Sequence, residues 1–210
     1  MQRYSVSVKG ILRERGSVLL RRNEREEFEL VGGRLEAEDA SLQARLRQEF
    51  LEETGIVVEV LEQREPWLYE AGGKSVIVIP FRCRAIRFPE TLEDQDGGTL
   101  HWIPERELGA LPMPQGYRDS IRGAVPARSA SVRTGTYFKI IPNYKETKFA
   151  VRIRVREGGR VLMDEPLAQG CAPREAIRLR LGAEKAARLR PLPASADFAQ
   201  ETVMLEYSAE

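Results

Sequence analysis

The chain has 210 residues, 42% of them hydrophobic and 31% charged, with a formal net charge of +1. That is enough apolar material for one large domain, or for a domain with a smaller companion, and the charge balance exerts no general pull on nucleic acid or an anionic membrane. No apolar run approaches the roughly 20 residues that span a bilayer, the first ten residues lack the apolar centre of a signal peptide, and Cys83 and Cys171 show no CxxC spacing, so a cytoplasmic protein with reduced thiols is expected.

The net charge hides an asymmetry. Residues 1–125 hold 18 Lys and Arg against 22 Asp and Glu, whereas residues 126–210 hold 15 against 10. Two units with different surfaces are expected.

In chain order, residues 3–12 read as a strand, Gly16 as a turn and residues 17–22 as the hairpin partner. Residues 28–33 read as a short strand ending in a glycine pair. Leu42, Leu46 and Phe50 recur every four residues, which predicts a helix over 41–53. Asp39 or Ser41 is placed to cap its start and Gly55 its end. Strands are predicted at 56–63, 74–86 and 99–104, an acidic loop at 88–99, and short helices after 104 and over 114–125. Residues 126–135 are small and polar and read as a linker. Beyond it the pattern is a hairpin, a basic helix over 173–188 and a closing strand over 201–208.

The segment that carries chemistry is 32–56. Glu49, Glu52 and Glu53 stand at i, i+3 and i+4, side by side on one arc of a helix. Their like charges repel unless a cation sits among them. Hard divalent cations take carboxylate oxygens and substrate phosphates. Three glutamates near a helix end are usually only a solvated face. Here they are bracketed by a Gly-Gly pair, an acidic loop and an amphipathic helix, and are followed by a glycine and an apolar strand.

The segment resembles the Nudix box, Gly-x5-Glu-x7-Arg-Glu-U-x-Glu-Glu-x-Gly-U with U apolar. Glu49, Phe50, Glu52, Glu53, Gly55 and Ile56 fall on the second half of that pattern, and VGGRLE (31–36) on the first, with Gly33 as its opening glycine. The preceding strands and the stretch 102–108 are also similar to that family, so the resemblance covers about residues 3–125. Two departures stand out. The spacing from Gly33 to Glu49 is one residue longer than the pattern, which puts Asp39 at the first acidic position when counted from Gly33 and fits an insertion near 38–41. Gln48 stands where the family has arginine, and Arg45, one turn before Glu49, is placed to pair with that glutamate instead.

The resemblance implies an α/β fold, an α/β/α sandwich with a mixed sheet over 1–125. Residues 126–135 are the expected linker, and residues 136–210 a small α+β domain, read as a degenerate half-repeat or a dimerisation unit. It implies metal-dependent hydrolysis of a pyrophosphate linkage in a nucleoside diphosphate derivative. Glu49, Glu52 and Glu53 would be ligands of Mg²⁺ or Mn²⁺. Glu52, Glu53 or an acid of the later loop, with Asp96 ahead of Glu93 and Asp94, would serve as catalytic groups. Gly33, Arg34, Trp67 and Tyr69 are the candidate substrate contacts, although Trp67 and Tyr69 fit a core aromatic pair at least as well, and Arg45 and Gln48 the candidate orienting residues. The expected partner is a small nucleotide. A membrane or nucleic acid is not expected, and a homodimer is an open arrangement, for which the arginines of 151–156 offer a face. The Gln48 departure supports an alternative, a Nudix-like module that binds a nucleotide metabolite without cleaving it.

Overall fold

The computed structural model describes residues 2–71, 73–92, 98–126, 129–132 and 146–209. Strand β1 (Arg3–Glu14) turns through Arg15 and Gly16, both at positive φ, into β2 (Ser17–Arg22). A two-residue turn of this hand suits the twist of the flanking strands. Strand β3 (Phe28–Glu29) is only two residues long, and Val31 and Arg34 continue as isolated bridges to Gly10 and Ser7 of β1. Helix α1 (Leu42–Thr54) follows, then β4 (Val57–Gln63), β5 (Trp67–Ala71), β6 (Lys74–Arg87) and β7 (Thr99–Pro104). A 3₁₀ turn over Glu105–Ala110 and helix α2 (Gln115–Arg122) end this part of the chain.

The sheet is mixed. Strand β6 runs parallel to β1, from Ser5 opposite Val76 to Leu12 opposite Cys83. Its other edge takes β5 and β4, both antiparallel. Alternation along β1 divides the molecule into layers. Val6 and Val8 join Leu42, Leu46 and Phe50 of α1 in one core, while Ile11 joins Trp67, Val78, Tyr117 and Ile121 of the α2 side in the other. The fold is α/β, with a mixed sheet between helices.

The sheet does not stop at the expected linker. Ser129–Ala130 (β8) pairs parallel with β5. Strand β9 (Phe149–Glu157) lies antiparallel to the start of β1, and β13 (Thr202–Ala209) runs parallel to β9 over eight residues. Strand β10 (Arg160–Pro166) forms the hairpin with β9, and β11 (Arg190–Pro191) and β12 (Ser195–Asp197) line β13. The basic helical stretch is split at Gly182 into α3 (Pro173–Leu181) and α4 (Ala183–Arg188). Phe149, Val151, Leu205 and Tyr207 belong to the same core as Tyr4 and Val6. On the polar face of β9, Arg152 and Arg154 pair with Asp164, and Arg154 and Arg156 with Glu206.

Candidate active site

Helix α1 is built to hold its glutamates in place. The Ser41 hydroxyl accepts from Ala44 N–H at the start, and Gly55 closes the end at φ 69°, a conformation that costs glycine little. Leu42, Leu46 and Phe50 bury one face. Glu49 and Glu53, one turn apart on the flank, are also buried, at 7% and 6% exposure. Both lean on the glycine pair. Gly32 lies at φ 130° and is pressed against the Val8 carbonyl, and a methyl group built on Gly33 would collide with the Glu49 carboxylate. Gly32 N–H donates to Glu53 Oε2 at 3.0 Å. The Lys9 ammonium donates to the Gly32 carbonyl at 2.5 Å, and Val8 N–H and Ser7 Oγ both donate to the Gly33 carbonyl at 2.9 Å.

The charges interlock. Arg45 pairs with Glu49 one turn along the helix, and Arg21 stands 3.7 Å from Glu53 and 3.4 Å from Glu29, which also faces Lys9 at 3.8 Å. Burial pushes the Glu53 carboxyl up to about 7. Lys9, Gly32 N–H and Arg21 pull it down without cancelling that desolvation, and Glu49 adds to the rise. A carboxyl so placed can exchange a proton near neutral pH.

Lys9, Arg21, Gly32, Gly33 and Glu53 open on a cavity of about 220 Å³, whose wall does not include Arg45 or Glu49. Five cationic side chains line it (Lys9, Arg21, Arg25, Arg34 and Lys74), against the carboxylates of Glu24, Glu29 and Glu53. Such a wall suits an anionic ligand. A family model described as the NUDIX domain matches residues 1–123, more than half of the chain. The chain belongs to the Nudix family.

No curated protein matches it. Solved structures that are similar include the E. coli ORF135 protein, at 24% identity and TM-score 0.46 over 57% of this chain and 87% of that one. A MutT protein from Methanosarcina mazei Go1 shares 24% identity at TM-score 0.49 over 57% and 91%. An ADP-ribose pyrophosphatase from Streptococcus suis shares 14% at TM-score 0.44 over 59% and 97%.

Only part of the segment 33–56 reaches the cavity. Gly33, Arg34 and Glu53 line it. Glu52 does not: it is exposed, and Gln48 Nε2 donates to its Oε1 at 2.5 Å. Asp39 accepts from Glu36 N–H and lies 4.0 Å from Arg45. Tyr69 is in the cavity wall, but Trp67 is fully enclosed, packed edge-on against Tyr117 at 5.0 Å and covering Gly116. An indole sealed in this way has no face for a base to stack on. Residues 67–71, where the sequence predicts no strand, form β5 because alternate side chains pack under α2 while the backbone pairs with β6. Glu93, Asp94 and Asp96 lie outside the described residues. The sequence reading missed Lys9, Arg21, Arg25, Glu29 and Lys74. The signal for Lys9 was present: Ser5, Ser7 and Lys9 alternate with Val6 and Val8, a polar face on a strand that is otherwise buried.

The donor set suits a hard divalent cation by type, since Glu49, Glu52 and Glu53 offer only carboxylate oxygens on successive turns of a rigid helix. Among the described residues, however, no three His, Cys, Asp or Glu side chains converge to hold one. Arg45 and Arg21 hold Glu49 and Glu53, and Glu52 turns outward.

Proposed function

We propose that this Nudix protein hydrolyses a pyrophosphate linkage in a nucleoside diphosphate bonded to a further group, with Mg²⁺ or Mn²⁺ as cofactor. The observation that carries this reading is the placement of Glu53. It is a buried carboxylate fixed by the Gly32 N–H, one turn from Glu49, at the wall of a predominantly cationic cavity.

Glu49, Glu52 and Glu53 would hold the cation, which when bound supplies charge neutralisation and a more acidic water. The chain's own residues perform the rest. Lys9 and Arg21 offset negative charge beside the helix. The bare backbone at Gly32 and Gly33 lets this loop close on Val8 and on the Glu49 carboxylate. Water attacks phosphorus, its proton passes to the Glu53 carboxylate, and the bridging P–O bond breaks to leave two phosphate-bearing products.

The test is incubation with Mg²⁺ or Mn²⁺ and a panel that includes ADP-ribose, NADH, nucleotide sugars and dinucleoside polyphosphates. Turnover of a member is expected, with kcat reduced about 10²- to 10⁴-fold by Glu53→Gln. Absence of turnover across the panel, with tight binding of one member, would favour the second reading, a nucleotide-binding module. What favours that reading is that Arg45 and Arg21 already occupy the glutamates.

A further inference from the structure

Three of the cavity's cationic groups are held from outside the matched segment 1–123, two directly and one through Glu27. On one flank, Glu146 Oε1 accepts from Ser5 Oγ at 2.6 Å and forms an ion pair with Arg34 Nη1 at 3.1 Å, and its Oε2 accepts from Lys74 Nζ at 3.4 Å. Burial alone would raise this carboxyl, but the Ser5 hydroxyl, Arg34 and Lys74 outweigh it and hold it below the ordinary range. On the other flank, the Ser131 hydroxyl donates to Glu27 Oε1. Glu27 is wholly buried, and its second oxygen accepts from Arg25 Nε at 3.1 Å. Arg25 reaches on to the Tyr69 hydroxyl at 3.4 Å. Ser131 is itself fixed, its N–H donating to the Glu70 carbonyl at 3.0 Å beside β5.

We propose that Glu146 and Ser131 are positioning residues of the substrate cavity: the chain beyond the Nudix domain orients Arg34, Lys74 and Arg25 to receive the phosphates of the ligand. The inference rests on the reading of this cavity as the substrate site. Its physical basis is side-chain entropy. A free arginine or lysine loses rotamer freedom when it grips a phosphate, a cost worth about an order of magnitude in affinity for each side chain. A guanidinium has five N–H donors and an ammonium three. The Arg34 contact to Glu146 orients the guanidinium and leaves donors for a ligand, and Lys74 is drawn to the same carboxylate. Glu27 does the same for Arg25, and Ser131 keeps the buried Glu27 carboxylate in register.

The alternative is that Glu146 competes with the ligand for Arg34 and Lys74, and the two predict opposite signs. Binding of inorganic pyrophosphate to the full chain, measured by titration calorimetry with Mg²⁺ present, separates them. Glu146→Gln keeps the shape and the Ser5 contact but removes the charge. Ser131→Ala removes the hydroxyl, and Ser131→Thr restores one. Glu146→Gln and Ser131→Ala should each weaken binding about three- to tenfold, with Ser131→Thr close to the parent protein. For a cleaved compound, KM should rise by the same factor while kcat stays within about twofold, a split that general destabilisation does not produce. Unchanged or tighter pyrophosphate binding in Glu146→Gln would overturn the proposal, as would a parent protein that does not bind pyrophosphate. If the contrast in binding holds while no compound is cleaved, the positioning role stands and the hydrolase reading fails.

Discussion

Gly33 decides how close the backbone comes to the helix that carries the glutamates. Its φ is not in the left-handed region, so its requirement is space: a methyl group there would meet the Glu49 carboxylate. Gly33→Ala is therefore expected to push Glu49 off Arg45 and away from Glu53. Displacement of a reacting group by about 1 Å costs on the order of 10² in rate, and overpacking costs about 1–3 kcal/mol. A kcat lowered at least about tenfold, with a modest fall in Tm, would agree. A Gly33→Ala enzyme with the parent's kcat would show that Glu49 has room to move without consequence. At this scale the sequence was informative where chemistry and backbone are coupled. Gly33, Glu49 and Glu53 could be singled out because they fall on the Nudix-box pattern, whereas the carboxylate row alone reads as a solvated face. Arg25, Glu29 and Lys74 could not be placed, because they reach the cavity from a loop and two strands brought together only by the fold.

The helix that carries the glutamates depends on its ends. Its first turn contains no acidic residue, so the N-cap is the main local support of the orphan N–H groups there. Ser41→Ala should cost about 1 kcal/mol, read as a shift of the urea midpoint with unchanged m-value. kcat should change little, because packing of Leu42, Leu46 and Phe50 keeps α1 seated. A large loss of kcat at saturating substrate would mean that the cap also tunes the site. The four-residue period and the cap signals made α1 legible to within a residue at each end. Strand β5 was not legible. REPWLYEAGG carries turn residues at both ends and too short an apolar alternation, and it becomes a strand only because β6 offers an edge beside it. The bend at Gly182 was hidden for a related reason. A basic, amphipathic stretch reads as one helix until packing decides where its axis turns.

At the scale of the whole molecule, what joins the two parts of the chain is a buried ion pair as well as a shared sheet. Glu65, between β4 and β5, is 6% exposed. Arg174 of α3 donates to both its oxygens, and the Tyr207 hydroxyl of β13 donates to Oε1 at 3.0 Å. The Arg174 guanidinium also lies 5.0 Å over the Tyr207 ring and donates to the carbonyls of Ala186 and Leu189. Arg174→Met removes the cation and leaves the carboxylate, a change that typically costs about 3–5 kcal/mol. The pH dependence gives this prediction a sign. Burial raises the Glu65 carboxyl above its ordinary value even though Arg174 and Tyr207 pull it down. A group raised on folding stabilises the protein below its unfolded pKa, and that contribution is lost as pH climbs through the folded value. Without Arg174 the main force pulling the carboxyl down is gone, so the loss extends to higher pH. The deficit of Arg174→Met against the parent should therefore be small near pH 5 and larger at pH 8, measured by urea unfolding. Because one core runs through both parts, Trp fluorescence and far-UV circular dichroism should report one transition. An equal deficit at both pH values would mean that Glu65 does not hold a buried charge. Two separated transitions would mean that the sheet shared by β1 and β9 does not couple the two parts.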